Sequence, residues 1–96
     1  MLNGQKIVVV MPAYNAARTL RQTYDEVMAH GIVDLVIVVD DASHDETVAI
    51  ARALPNVQVD VHPENRGYGA NQKTCYRLAL AAGAYIVIMK ETARTP

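Results

Sequence analysis

The chain has 96 residues, 51% of them hydrophobic and 20% charged, with a formal net charge of -1. That length allows one domain, since single domains run to roughly 100–200 residues, and high apolar content with small net charge excludes a disordered chain. Cys75 is the only cysteine, which excludes a disulfide scaffold, and near-neutral charge gives no electrostatic case for nucleic acid or an anionic membrane surface.

No apolar run approaches the roughly 20 residues of a membrane span, so no transmembrane segment is expected. The first six residues, Met1 to Lys6, lack the pattern of a signal peptide, and a cytoplasmic location is the default expectation. All five aromatic residues are Tyr, so the core must be built from Val, Ile, Leu, Met and Ala.

The chain alternates strand-like and helix-like patterns. Ile7–Met11 is a short β-branched run that predicts the first strand, and Pro12, which has no N–H to donate, is expected to end it. Tyr14 follows, either offering an aromatic face at the sheet edge or packing over that edge. Leu20, Tyr24, Val27 and Met28 share one helix face, with Asn15 as the expected N-cap and Gly31 as the stop.

Leu35–Val39 predicts the second strand, followed by Asp40 and Asp41. Two adjacent carboxylates at a strand end are costly unless something pairs with them, so both are candidate ligand contacts. Ser43-His44-Asp45-Glu46 has capping-box spacing and predicts a second helix that runs to about Leu54 and ends at Pro55-Asn56. Ser43 and Glu46 are read as caps.

Val57–Val61 alternates apolar and polar residues, which predicts a strand with one wetter face or an edge position. The loop after it carries Arg66 and Lys73 as candidate phosphate contacts, and Gly67 and Gly69 allow close backbone approach. A third helix is expected from Gly69 or Ala70 to Gly83, with Cys75 as a small core residue. Tyr85–Met89 predicts the fourth strand. His30, His44 and His62 have no metal-ligand spacing and are assigned surface or capping roles.

The order β-α-β-α-β-α-β predicts an α/β fold: a Rossmann-like parallel sheet with helices on both faces and ligands bound at the carboxyl ends of the strands. The Gly-x-Gly-x-x-Gly fingerprint of dinucleotide binding is absent, which disfavours a nicotinamide-dependent dehydrogenase.

Three stretches together resemble family 2 glycosyltransferases, which have the GT-A fold: residues 8–15, residues 38–47 and residues 65–74. The last of these, with residues 81–84 and 86–89, is similar to the branch of dolichol- and polyprenyl-phosphate sugar transferases. The resemblance implies that residues 1–96 form a single truncated domain, the first half of a GT-A fold. It implies a site for a nucleoside diphosphate sugar. Pro12, Ala13 and Tyr14 would cradle the base, Asp40 and Asp41 would contact base and ribose, Arg66 would meet base or phosphate, and Asn71 and Gln72 would face the nucleotide.

It also implies a divalent metal, Mg²⁺ or Mn²⁺, and a lipid acceptor such as polyprenyl phosphate at a membrane face. The chain departs from the family where an Asp-x-Asp metal motif is expected. Lys90-Glu91-Thr92-Ala93-Arg94-Thr95-Pro96 contains no Asp, and Tyr85 stands where an acidic residue is expected. No catalytic group and no metal ligand is therefore assigned, and the chain alone is expected to be inactive, with a non-catalytic nucleotide-binding or assembly module as the alternative. A frameshift or truncation is one account of this tail. The fourth strand would then be a bare apolar edge, which predicts a homo-oligomer.

Overall fold

The structure, a computed structural model, describes residues 4–92. Arg94 and the rest of 93–96 lie outside the described residues. Seven elements alternate: β1 (Ile7–Ala13), α1 (Leu20–Met28), β2 (Leu35–Asp40), α2 (Thr47–Arg52), β3 (Val57–Val61), α3 (Tyr68–Ala81) and β4 (Ile86–Met89). All strand pairs are parallel and the sheet order is β3-β2-β1-β4. The expected Rossmann-like α/β sheet is therefore present.

Right-handed crossovers explain the layers. From β1 to β3 the chain steps one way across the sheet, so α1 and α2 fall on one face. From β3 to β4 it returns, so α3 falls on the other. Alternation along the strands then divides the core. Val9, Met11, Val36 and Val38 join Leu20, Tyr24 and Ala51 on the α1–α2 face. Val8, Val10, Ile37 and Val39 join Cys75 and Ala79 on the α3 face. Cys75 is a core residue as expected, and burial pushes its thiol up to about 12.

Pro12 does not end β1. It lies within the strand, opposite Val39 of β2. The reason is the direction its missing N–H would take. The Val10 carbonyl accepts from Lys90 N at the end of β4, so Val10 faces β4, and Pro12, two residues on, faces the same way. The β1–β4 register stops at Val10 opposite Met89, so no ladder bond is lost at Pro12.

Two helix starts also differ from expectation. Asn15 has a positive φ of 50° and does not cap α1, whose N-cap position is Thr19. Its side-chain oxygen instead accepts from His44 N at 2.8 Å. Ser43 does not cap α2, which begins at Thr47, with Glu46 at the N-cap position but no cap bond from its side chain. The Asp45 carboxylate, one residue earlier, accepts from Thr47 N. Ser43 is drawn away because the fully buried Asp40 carboxylate takes both its N–H and its hydroxyl. At its other end α2 is shorter than expected, because i to i+3 bonds at Ala53 and Leu54 tighten the last turn.

β3 is an edge, as its alternation predicts, with Gln58 exposed. Among the described residues β4 is the other edge. No helix among them is long and apolar enough to cross a membrane.

Candidate functional site

The loops that leave the carboxyl ends of the four strands meet at one edge of the sheet. The β1–α1 loop is stitched to the β2–α2 loop by three bonds from its backbone. Asn15 N donates to Ser43 Oγ at 2.8 Å, Ala16 N to Thr47 Oγ1 at 2.8 Å, and Ala17 N to Asp45 Oδ2 at 3.2 Å. These side chains take up N–H groups just before α1, which a short entry loop would otherwise leave unpaired. Ala42 is held at a positive φ of 63° in the turn that Asp40 and Ser43 close.

Asp40 and Asp41 point to opposite faces of the sheet, which answers the cost of adjacent carboxylates. Asp40 sits on the α1–α2 side, fully buried, and is spent on the turn at Ser43. Asp41 sits on the α3 side and is 4% exposed. Its Oδ1 accepts from Arg66 N at 2.8 Å and lies 2.9 Å from His62 Nδ1, while Oδ2 accepts from Gly67 N at 2.8 Å. Burial pushes the Asp41 carboxyl up, but the Arg66, His62 and Gly67 donors together outweigh it and hold it below the ordinary carboxylate range.

The β3–α3 loop is thus tied down by Asp41. Gly67 has a φ of 92°, a backbone state that side chains other than glycine rarely adopt, and it turns the chain into α3. Asn71, in the first turn of α3, donates to the Val39 carbonyl at 2.9 Å and fixes the helix over the end of β2.

These loops enclose a cavity of about 440 Å³. Its walls come from all four strand ends: Pro12 to Ala16 at and beyond the end of β1, Asp41 after β2, Asn65, Gly67, Tyr68 and Asn71 after β3, and Glu91 with Thr92 after β4. β1 has β2 on one side and β4 on the other, which makes it the switch point where parallel sheets open a crevice.

Of the residues singled out in the sequence, Pro12, Ala13, Tyr14, Asp41 and Asn71 line this cavity. Asp40, Arg66 and Gln72 do not. The Arg66 backbone N–H binds Asp41 while its side chain is exposed, and Gln72 turns toward Met89 Sδ at 3.6 Å. Asn65, Tyr68, Glu91 and Thr92 are additional wall residues. The glycine loop signalled the first two, and Glu91 stands where a metal motif is expected.

His62 is a correction. It is 3% exposed, bridging Asp41 and Thr74, and has neither a surface nor a capping role. The alternation of β3 puts position 62 on the face of Gln58 and Asp60, the wetter one, so the pattern carried no signal of its burial.

A divalent metal would need clustered donors. The cavity holds two carboxylates, Asp41 and Glu91, and Glu91 is bonded to the Tyr68 hydroxyl. Among the described residues no three His, Cys, Asp or Glu side chains stand together to hold a metal ion. These residues do not form a metal site by themselves.

The fold and site define a parallel α/β domain with a ligand cavity at its switch point. Comparison narrows the class. Residues 8–90 match the family described as glycosyl transferase family 2. The chain is 30% identical over 84 residues to the succinoglycan biosynthesis protein ExoO of Rhizobium meliloti, covering 86% of this chain and 24% of that protein. It is 36% identical over 87 residues to the uncharacterized protein MJ1222 of Methanocaldococcus jannaschii, covering 91% and 35%.

Among solved structures it is similar to glucosyl-3-phosphoglycerate synthase from Mycobacterium tuberculosis in complex with Mn²⁺, uridine diphosphate and phosphoglyceric acid. The TM-score is 0.71 at 28% identity, over 93% of this chain and 33% of that one. The same enzyme with uridine diphosphate alone gives a TM-score of 0.73 at 28% identity, over 96% of this chain and 35% of the other. The chain belongs to glycosyl transferase family 2. It spans about a quarter to a third of the length of these relatives.

Proposed function

We propose that the cavity binds the nucleotide part of a nucleoside diphosphate sugar, the donor side of a glycosyl transfer. The observation that carries this reading is the cavity at the β1 switch point, in a chain whose solved relatives at 28% identity hold uridine diphosphate. Tyr14, 46% exposed on the cavity wall, offers a face for the base, with Pro12 and Ala13 beside it. Asp41 keeps one acceptor position beyond its three donors, enough for one base N–H or ribose hydroxyl. Asp40 acts from behind, through the turn that carries Ser43 to the neighbouring loop. Arg66 reaches phosphate from the rim, and Asn71 and Gln72 hold the start of α3 in place.

The experiment is titration of the purified chain with UDP and GDP, each with and without Mn²⁺. Saturable binding of one nucleotide is expected, weakened about tenfold by Tyr14→Ala, since stacking a base on an aromatic ring is worth roughly 1–3 kcal/mol. A folded chain that binds neither nucleotide would sink the reading.

The transfer step and its metal are assigned to the whole length of the family fold, so turnover by residues 1–96 alone is not expected. The acceptor is read as a polyprenyl phosphate, on the resemblance of residues 65–74, 81–84 and 86–89. Sugar carried into lipid extract rather than onto a soluble acceptor is the measurement that separates the two. A second reading, a nucleotide-binding or assembly module without transfer, is favoured by one observation. Both cavity carboxylates are already engaged, Asp41 by its loop and Glu91 by Tyr68.

Self-association is proposed through β4. Its residues Ile86-Val87-Ile88-Met89 carry no polar side chain, unlike the Gln58 and Asp60 of the other edge. Ile86 and Lys90 turn their N–H groups to β1, so those of Val87 and Met89 point away from it. Sedimentation at rising concentration should show a dimer that Ile88→Lys dissolves. A monomer throughout would end the proposal.

A further inference from the structure

Asp41 is one of the two carboxylates of the cavity, and hydrogen bonds from Arg66 N, Gly67 N and His62 Nδ1 set its orientation. The one side chain among these three donors, His62, stands outside the cavity wall. His62 is buried at the end of β3, and its backbone N donates to the Asp40 carbonyl at 2.8 Å. Its ring is gripped at both nitrogens. Nδ1 lies 2.9 Å from Asp41 Oδ1, and Nε2 lies 2.9 Å from Thr74 Oγ1 on α3.

The proton positions follow from the partners. The Asp41 carboxylate can only accept, so Nδ1 must carry a proton. Thr74 has the Ala70 carbonyl within 3.1 Å for its own hydroxyl proton. Whether the hydroxyl gives that proton to Ala70 or to Nε2, the Nδ1–H bond to Asp41 is the same. The ring therefore spans from α3 to the cavity acid and holds one orientation.

We infer that His62 is a positioning residue for the nucleotide site: it orients Asp41 so that the free acceptor position faces the cavity while the loop at Arg66 and Gly67 is anchored from behind. The inference rests on the nucleotide-binding reading proposed above. Buried imidazoles that orient a carboxylate ligand act in the way outer-shell partners do at metal sites, where their loss commonly costs 10–100-fold.

The test uses three variants and one spectrum. His62→Asn keeps an N–H where Nδ1 donates and loses the reach to Thr74. His62→Leu keeps volume and loses both bonds. Tyr24→Phe removes an unrelated hydrogen bond to the Pro55 carbonyl, far from the cavity, and serves as the control for stability alone. Affinity for whichever of UDP or GDP the wild-type chain binds is measured on protein shown to be folded. His62→Leu should bind at least tenfold more weakly, His62→Asn within about threefold of wild type, and Tyr24→Phe unchanged.

Where His62→Leu does not fold, the nitrogen spectrum of the wild-type imidazole decides. A protonated Nδ1 whose resonance moves on adding nucleotide supports the inference. A proton on Nε2 alone, or a Nδ1 resonance unmoved at saturation, overturns it. Equal affinity of His62→Leu and wild type overturns it too. A wild-type chain that binds no nucleotide is a different result, since it removes the reading on which the inference rests.

Discussion

Asp41→Asn is expected to lower the stability of the domain by about 3 kcal/mol, given that hydrogen bonds to charged groups are worth roughly 1.5–3 kcal/mol each and unsatisfied buried donors cost about as much. The carboxylate takes three donors, His62 Nδ1, Arg66 N and Gly67 N. An amide can face a donor with its oxygen but not with its nitrogen, so at least one of the three loses its acceptor. A chain of this length has roughly 5–14 kcal/mol to lose. The melting temperature should fall by about 10 °C or more. Nucleotide affinity should fall with it, because the loop carrying Asn65, Gly67 and Tyr68 is a cavity wall.

The same group sets a pH dependence. The folded Asp41 carboxyl lies below its unfolded value of about 3.9. Its contribution is therefore fully present above that value and is lost as pH falls through the folded one. Denaturant titrations from pH 6 down to pH 2.5 should show wild type losing stability in the acid limb, and Asp41→Asn losing less. Parallel curves for the two proteins would refute the assignment.

Ile37→Ala is expected to cost about 3 kcal/mol, within the roughly 2–5 kcal/mol of large-to-small core changes. Ile37 is fully buried at the middle of β2, between β1 and β3, and faces Val8, Val10, Cys75 and Ala79. The small side chains of α3 bring that helix close to the sheet, and paired strands on both sides keep the site from collapsing. Ile88→Ala on β4, where the side chain is 43% exposed, should cost under about 1 kcal/mol. Chemical denaturation of both variants checks the contrast. Equal losses at the two positions would show that α3 does not seal the sheet as described.

The elements were legible because their signals are local. β-branched runs and helix-face spacing gave four strands and three helices in their right order, and alternation in Val57–Val61 marked an edge. The cavity was legible in part, since ligands in parallel sheets bind after the strands, and Tyr14, Asp41 and Asn71 all follow strands or open a helix there. The errors came where a residue's partner is distant in sequence. Pro12 stays in β1 because β4, more than 70 residues later, ends beside it. Asn15 leaves its expected cap for His44, 29 residues away. Ser43 is the exception, held by Asp40 three residues back while its oxygen also accepts from Asn15 N, 28 residues away.

His62 shows the division most plainly. Its strand position and its residue type are in the sequence, but neither says that Asp41 lies 21 residues back and Thr74 12 ahead at hydrogen-bond distance. Patterning along one strand or helix is enough to determine which face is apolar, because that depends only on backbone period. Which polar groups satisfy one another is decided by the sheet order, because burial forces each carboxylate, hydroxyl and imidazole to take whatever donor or acceptor the packed elements bring within about 3 Å.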